Sequence, residues 1–399
     1  MSKKLKDWLY RGTAAVALGA FSLGLTSAAT AADEVILGYF LAATGELAPY
    51  DSEPGARCMV DIINDKGGVL GGKKLKLIAK DMKGDPALSA TVAQELIDDG
   101  AVVLLGPPTD TTLIPGGQIA APLQIAVLSV GSTQVQWPAA VPEVAYLVPY
   151  GDNASASSVA AWAIKQGYKT AYLLISHDIG SYSLVTPQYF GDAFEKLGGK
   201  VLGQLNWNFG TNDYSPQVTE IKNLNPRPDV VFAAWIMPDG GVFARQMKAA
   251  GLDMPILGTD GLDDPSLIEV GGEGANLVTF GTHGFPSDGS ALKTFYDECT
   301  KRGFTVQNIF FGLAGETVEV IRLAIEKAGS AEAAAINAAL KELENAPGVT
   351  TDSITFKGRG GVPLKRLAIV GVREGKFTLM ERILPDYVAD GATKWQVSK

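Results

Sequence analysis

The sequence predicts an α/β protein built on parallel β-sheets, and three observations support this prediction. Short apolar runs alternate with amphipathic stretches along almost the whole chain, which is typical of repeated βαβ units. The 399 residues exceed what one ordinary hydrophobic core organises, so about two domains are expected. Only two cysteines are present; core packing rather than a set of disulfides must therefore stabilise the fold.

The individual elements follow from the apolar pattern. Strands are predicted at 35–40, 75–80, 101–105, 125–129, 171–175, 201–205, 230–234 and 277–280. Helices are predicted at 56–64, 86–98, 155–166, 188–197, 240–250, 291–301 and 315–328. The alternation pauses at 138–153, which contains three prolines, and again at 281–289. Such turn-rich interruptions indicate places where the chain leaves one domain for another.

The amino-terminal residues are typical of a secretion signal. Basic residues between Lys3 and Arg11 precede an apolar run at 14–25, which is too short to span a membrane. Ala29-Thr30-Ala31 then offers a cleavage motif. We expect a product cleaved near Ala31 and located in the periplasm. Because no cysteine follows the run, no lipid acceptor is expected there.

Charge and hydropathy exclude several partners. The formal net charge is -9, and removing the leader makes it about -12 by composition. A protein this acidic is repelled by nucleic acids and by anionic membrane surfaces. After the leader, no apolar run approaches the length of a transmembrane helix.

Motifs for catalysis, cofactors and metals are missing or lie in the wrong context. The segment 67–73, GGVLGGK, has the spacing of a phosphate loop, but a helix precedes it and a strand follows, the reverse of what such a loop requires. His177 and His283 are the only histidines and have no ligand spacing. Neither GxSxG nor GxGxxG occurs in a suitable position. We therefore expect a protein that is not an enzyme and that has no cofactor and no metal site.

The two cysteines, Cys58 and Cys299, fall in helices on opposite sides of the pause at 281–289. We expect reduced thiols in separate lobes, because a disulfide needs closely spaced Cα atoms. A return of Cys299 to the first lobe would instead permit a disulfide.

Four polar loops that follow predicted strands are the candidate functional segments. Doubly wound folds bind ligands at this edge of the sheet, where helix N-termini and free amides converge. The same residues are also ordinary turn formers. The loops are 106–112 (GPPTDTT), 129–133 (SVGST), 176–183 (SHDIGSYS) and 259–261 (TDG).

In this order, these loops resemble those of the type I periplasmic binding proteins of the leucine/isoleucine/valine-binding family. The resemblance covers most of the mature chain. Its other motifs are the strand 35–40, Thr44-Gly45, the segments 55–81 and 84–86, LLGP (104–107), VVFAAW (230–235), RQMKAAGL (245–252) and ILGTDGLDDPSL (256–267).

The resemblance implies two Rossmann-like, parallel-sheet lobes joined by a hinge of three crossovers, which close on a ligand like a flytrap. Lobe one would comprise 33–149 and 283–366, and lobe two 150–282 and 367–399. Ligand binding favours the closed state through contacts that the ligand makes with both lobes.

The resemblance also implies roles for particular residues. Gly131, Ser132 and Thr133 match the loop that holds the ligand's carboxylate and amino groups. Asp260 matches an acidic residue that receives the α-ammonium, by a charge-assisted hydrogen bond. The aromatic positions that match or lie beside pocket positions are Tyr50, Tyr182, Trp235 and Phe310. Core packing remains an alternative for Trp235 and Phe310, because large aromatic side chains are usually buried.

One position departs from the family pattern. Asp110 stands where amino-acid binders usually have a serine that binds the ligand's carboxylate, and an aspartate there repels a carboxylate. Either Thr109 or Thr111 takes that role, or the ligand is not a simple α-amino acid.

The resemblance finally implies a function. We expect a protein that captures an amino acid, or another small amide or amine, and delivers it to an inner-membrane ABC permease. Two alternatives remain at this point: an aromatic or other carboxylate solute, and a sensor whose closed form instructs a receptor.

Overall fold

A computed structural model of the chain describes residues 34–45 and 47–390. The secretion signal and its cleavage position near Ala31 lie outside the described residues. Within these residues, no helix combines the length and the apolar character that crossing a membrane requires.

The first sheet consists of five parallel strands with helices between them. The strands are β1 (Glu34–Leu41), β2 (Lys74–Asp81), β3 (Val103–Gly106), β4 (Ala126–Ser129) and β5 (Ala145–Leu147), and the helices are α1 (Glu53–Asp65), α2 (Pro86–Asp98), α3 (Asp110–Ala120) and α4 (Gln136–Ala140). The strand order is β2-β1-β3-β4-β5. Side-chain caps define two of the helix starts, since Ser52 and Asp85 accept backbone N–H groups of α1 and α2.

The second sheet has seven strands. The chain continues through α5 (Asp152–Lys165), β6 (Thr170–Ile175), α6 (Gly180–Lys196), β7 (Lys200–Asn206), α7 (Ser215–Asn223), β8 (Val230–Phe232), α8 (Asp239–Ala249), β9 (Ile256–Gly258), α9 (Ser266–Gly271) and β10 (Val278–Thr282). It then forms α10 (Ala291–Lys301), α11 (Ile309–Ala328), α12 (Ala333–Lys341), the small hairpin β11 (Ala346–Pro347) and β12 (Ser353–Ile354), and the strands β13 (Leu367–Arg373) and β14 (Lys376–Ile383). The order is β14-β13-β10-β9-β8-β6-β7, with only β13 and β14 antiparallel to their neighbours.

The chain passes between the two sheets three times. It leaves the first sheet after β5 and builds the second sheet through β10. Helix α10 then packs on α11, α11 on α1 and α12 on β4, which returns the chain to the first sheet. Strand β13 finally joins β10. The fold is thus the predicted α/β pair of parallel-sheet lobes.

The prediction for the cysteines was wrong. Cys58 and Cys299 form a disulfide, with Cα atoms 5.9 Å apart. The reason is the return just described: α10 follows the second passage and packs beside α1 and α11, so both cysteines belong to the same lobe.

The segment 67–73 connects α1 to β2. This confirms the predicted order, in which a helix precedes the segment and a strand follows it.

A buried ion pair lies at the passages between the lobes. The ammonium of Lys365 contacts the carboxylate of Glu316, and both side chains are fully buried. Nζ of Lys365 also donates to the carbonyl of Val148 (3.2 Å) and contacts Oγ1 of Thr350 (3.0 Å). Lys365 precedes β13 and Val148 follows β5, so this one ammonium connects the first and third passages.

Candidate functional site

A small cavity of about 30 Å³ lies between the two lobes. Its walls come from segments that follow the carboxyl ends of parallel strands, together with the start of α11. The first lobe contributes Leu47, Tyr50, Pro108, Thr109, Gly131, Thr133, Gln134 and Phe310, and the second contributes Ile179, Tyr182, Ile236, Asp260 and Gly261. This is the position where open α/β sheets bind ligands.

All four polar loops singled out in the sequence reach the cavity. The loop after β3 contributes Thr109, and the loop after β4 contributes Gly131 and Thr133. The segment after β6 contributes Tyr182, although its second half is the first turn of α6 rather than a loop. The segment after β9 contributes Asp260.

Tyr50 links the two lobes through its hydroxyl. The hydroxyl accepts from the backbone N–H of Met237 at 2.7 Å and donates to the carbonyl of Gly261 at 3.2 Å. Its segment is held by the carboxylate of the next residue, Asp51, which accepts from the backbone N–H of Ala42 at 3.0 Å. Gly131 permits the close approach of this segment, because a Cβ there would lie 2.1 Å from the carbonyl oxygen of Tyr50. The hydroxyl of Tyr50 is therefore fixed over the cavity.

Tyr182 organises the second-lobe wall. Its hydroxyl accepts from the backbone N–H of Gly261 at 3.0 Å and lies 2.9 Å from Oγ1 of Thr259. A Cβ at Gly261 would lie 2.6 Å from this hydroxyl, so only glycine leaves room for it. Burial raises the pKa of Tyr182 well above its ordinary value, which keeps the phenol protonated.

Asp260 is the carboxylate of the cavity. It is 3% exposed, and its Oδ2 lies 3.2 Å from Nε2 of His283. Its Oδ1 has no hydrogen-bond partner among residues 34–45 and 47–390. Burial raises the pKa of Asp260 to about 7. A buried carboxylate with an unused oxygen is an acceptor for a cationic or hydrogen-bonding group.

His283 contacts the carboxylate of Asp260 and holds it in place. Its ring lies against that of Tyr150, with centroids 4.2 Å apart, and it is fully buried. Burial, together with the positive charge of Lys365, holds the pKa of His283 well below its usual range. The imidazole is therefore neutral and does not compensate the charge of Asp260.

Asp110 points across the cleft rather than into the cavity. It is the first residue of α3. Its Oδ1 accepts from the backbone N–H of Thr111 at 2.8 Å, and its Oδ2 accepts from Oγ of Ser181, in the second lobe, at 2.7 Å. Asp110 thus joins the lobes directly.

A family profile with the description "Periplasmic binding protein" matches residues 34–376. The chain belongs to the periplasmic binding protein family. A curated relative, the Leu/Ile/Val-binding protein BraC3 of Rhizobium johnstonii, is 28% identical over 361 residues, covering 87% of this chain and 94% of the relative.

Solved structures of other binding proteins share the fold. The leucine-binding protein LivK of Thermotoga maritima superposes with a TM-score of 0.77 at 24% identity, covering 88% of this chain and 99% of that one. A solute-binding protein from R. palustris in complex with benzoate superposes with a TM-score of 0.74 at 18% identity, covering 90% and 98%. At these identities the likeness shows the architecture alone.

Four of the predicted site residues of this periplasmic binding protein do not line the cavity. Asp110 and Thr111 lie at the start of α3, where Thr111 is exposed. Ser132 is buried and donates to Oε1 of Gln134 at 2.5 Å. Trp235 packs in an aromatic cluster, with ring centroids 4.3 Å from Trp207 and 4.7 Å from Phe243.

Several cavity residues were not predicted as site residues. Three of them directly follow a predicted site residue in the chain: Gln134 follows Thr133, Ile236 follows Trp235 and Gly261 follows Asp260. The correct segments were therefore chosen, and the neighbouring residue was missed. Ile179 lies within a predicted loop. His283 was considered only as a metal ligand. The cavity-wall residues that were not predicted are Leu47, Pro108, Gln134, Ile179, Ile236 and Gly261.

The described residues were compared with the requirements of a metal site. Among residues 34–45 and 47–390, no group of three or more His, Cys, Asp or Glu side chains is arranged to hold a metal ion.

Proposed function

We propose that this periplasmic binding protein captures a small amino-acid-like or amine-bearing solute between its lobes and delivers it to an inner-membrane ABC permease, without chemical change to the solute. The supporting observation is the cavity between the lobes, where the buried carboxylate of Asp260 has an oxygen with no partner among the described residues. Delivery would take place in the periplasm, after cleavage of the leader near Ala31.

Asp260 would receive the ligand's ammonium, with His283 holding the carboxylate in place. Gly131 and Thr133 would present their backbone amides, and Thr133 its hydroxyl, to the polar atoms next to the ammonium. Tyr50 and Phe310, whose rings meet edge to face with centroids 5.2 Å apart, would contact the apolar part of the ligand. Tyr182 would act indirectly, because its hydroxyl holds the backbone N–H of Gly261 in position.

The lobes would run 33–149 with 283–366, and 150–282 with 367–399. Asp260 and Thr133 then belong to different lobes, so a ligand that contacts both stabilises the closed state by its differential affinity. Lobe closure would expose a surface that the permease recognises; a sensor would use the same closure to instruct a receptor.

The relatives differ in the charge of the solutes for which they are named or with which they are solved. BraC3 is named for leucine, isoleucine and valine, all of which carry an ammonium together with a carboxylate. The R. palustris protein holds benzoate, which has no positive charge to offer Asp260. A carboxylate solute would meet a buried acid and no lysine or arginine on the described cavity wall.

Mass spectrometry of the solute released when the purified protein is denatured tests this proposal. We expect a small amine or amino acid in stoichiometric amount, and we expect its re-addition to raise the melting temperature by mass action. Release of a carboxylate without a basic nitrogen would overturn the amine assignment. Turnover of the added solute would overturn the assignment as a binding protein.

A further inference from the structure

We infer that the cavity is built for a compact organic cation without a carboxylate of its own, such as a short primary alkylammonium, rather than for a zwitterionic amino acid. This inference rests on the proposed function and names the class of solute that the same site selects.

The charge of the cavity wall is the first argument. Asp260 is the carboxylate on this wall, and none of the described residues that line it is a lysine, an arginine or a histidine. The nearest histidine, His283, is neutral. Oδ1 of Asp260 has no partner among the described residues, and a buried, unpaired carboxylate is stabilised most by a cation brought by the ligand.

Two more buried acids lie towards the far side of the cavity. Asp110 is 6% exposed and Asp152 is 1% exposed. The backbone N–H of Asp152 donates to the carbonyl of Thr133 at 2.8 Å, which places Asp152 directly behind a cavity residue. Asp110 immediately follows Thr109, another cavity residue. Burial raises the pKa of Asp152, with further contributions from the charges of Asp260 and Asp110, so these surroundings disfavour a further negative charge at this side of the cavity.

The neutral donors available to a ligand carboxylate lie among these acids. The hydroxyl of Thr109 is already engaged with those of Thr111 (3.1 Å) and Thr112 (2.7 Å). Thr133 lies in front of Asp152. A carboxylate placed at Thr109 would be repelled by the neighbouring Asp110 through a low-dielectric medium, where charge interactions are several times stronger than in water. An ammonium alone meets no such penalty.

The size of the cavity is the second argument. It measures about 30 Å³, against roughly 300 Å³ or more for the pockets of drug-sized ligands. Direct contacts between the lobes fix this size, namely those of Tyr50 with Met237 and Gly261, and that of Asp110 with Ser181. Only a ligand with few heavy atoms fits without breaking these contacts.

Calorimetric titration with alanine, ethylamine and propionate is the test, because all three carry their charged groups on the same two-carbon unit: alanine has an ammonium and a carboxylate, ethylamine only the ammonium and propionate only the carboxylate. At pH 8 we expect ethylammonium to bind about tenfold or more tightly than alanine, and propionate not to bind. The corresponding larger set, leucine, 3-methylbutylamine and 4-methylpentanoate, tests size. We expect 3-methylbutylamine to bind more weakly than ethylamine.

The variant Asp110→Asn removes one negative charge while keeping a similar shape beside Ser181. We expect it to reduce the preference for ethylamine over alanine by about threefold to tenfold. Asp288→Asn removes one charge from an exposed loop position and should leave that preference unchanged.

Tighter binding of alanine or leucine than of the matching amine would overturn this inference and leave the proposed solute-binding function intact. Failure of all four amines and amino acids to bind would overturn it as well. The proposed function fails by a different result, the release of a carboxylate without a basic nitrogen or the turnover of a bound solute.

Discussion

Nε2 of His283 lies 3.2 Å from Oδ2 of Asp260, and both side chains are buried between the lobes. The neutral imidazole fixes one carboxylate oxygen and leaves the other for a ligand. This pair determines how binding should respond to mutation and to pH.

Replacing Asp260 should weaken ligand binding more than replacing Thr133. Asp260→Ala leaves a ligand ammonium desolvated and unpaired, which we expect to cost about 2 to 5 kcal/mol of affinity. Thr133→Ala removes a hydrogen bond worth about 1 kcal/mol, or up to about 3 with a charged partner. Without ligand, Thr133→Ala should melt close to the parent. Calorimetry with the co-purified solute measures this, with the exposed Asp288→Ala as control. Unchanged affinity in Asp260→Ala would exclude the ammonium contact.

Amine binding should weaken as the pH falls below 7. The pKa of Asp260 is raised to about 7 in the ligand-free protein, so below this pH an amine must displace a proton, and its affinity falls about tenfold per pH unit. Above pH 7 the affinity should level off. Of the groups around Asp260, His283 stays neutral because its pKa is lowered, and Tyr150 and Tyr182 stay protonated because theirs are raised. Titrations from pH 5.5 to 8.5 should show this slope in the parent and not in Asp260→Asn. A flat profile in the parent contradicts the prediction.

Stability should change with pH in the opposite direction. The folded pKa of Asp260 lies above the model-peptide value of 3.8, so the folded state binds the proton more tightly, and the unfolding free energy falls as pH rises from about 4 to 7. Asp263, whose pKa is also raised to about 7 by burial, adds to the same fall. Urea unfolding at several pH values should therefore show a smaller fall in Asp260→Asn than in the parent. If the unfolding free energy fell equally in the parent and in Asp260→Asn, the pKa of Asp260 would be the same in the folded and the unfolded state.

The Cys58–Cys299 disulfide should stabilise the protein substantially. We expect its reduction to lower the unfolding free energy by about 2 to 5 kcal/mol. The double variant Cys58→Ala, Cys299→Ala should show a similar loss and no further response to reductant. Thiol counting in denaturant without reductant should give zero reactive thiols per chain. Two reactive thiols would show that the bond does not form.

Removing one partner of the buried ion pair should cost more than removing both. Lys365→Met leaves Glu316 buried and uncompensated, which we expect to cost about 3 to 5 kcal/mol of stability. The double variant Lys365→Met, Glu316→Leu should recover most of this loss. Chemical unfolding of the parent and the two variants measures the coupling. A double variant no more stable than the single one would show that the pair contributes through its hydrogen bonds to Val148 and Thr350.

Much of the fold could be predicted because parallel-sheet strands leave continuous apolar runs. Helix α2 and helix α10 have the predicted bounds, and β1 and β2 differ by one residue at each end. The three-residue strands β5 and β9 were missed because so short a run has no recognisable period. The hairpin β13–β14 was missed because its antiparallel edge does not follow the βαβ pattern.

The site could be predicted as loops but less well as side chains. A polar loop after a strand is visible in the sequence, whereas the direction of each side chain depends on packing across the lobes. Trp235 is in the right segment, yet its ring joins Trp207 and Phe243, and Ile236 reaches the cavity instead. His283 lies far from Asp260 in the chain, and only the fold brings them together. The same is true of the disulfide, since nothing local shows that the chain returns to its first lobe.

That disulfide also has a mechanical consequence. It joins residues separated by 241 positions in the chain, and strands β6 to β10 all lie between them. A pulling force applied to the two ends of the oxidised chain would pass through the sulfur atoms and bypass this enclosed segment, withholding roughly 800 Å of extended length. After reduction the same segment would bear the load. Strands β2 to β5 of the first lobe lie in the same covalently closed loop, so most of both sheets would be shielded from tension until the bond is broken.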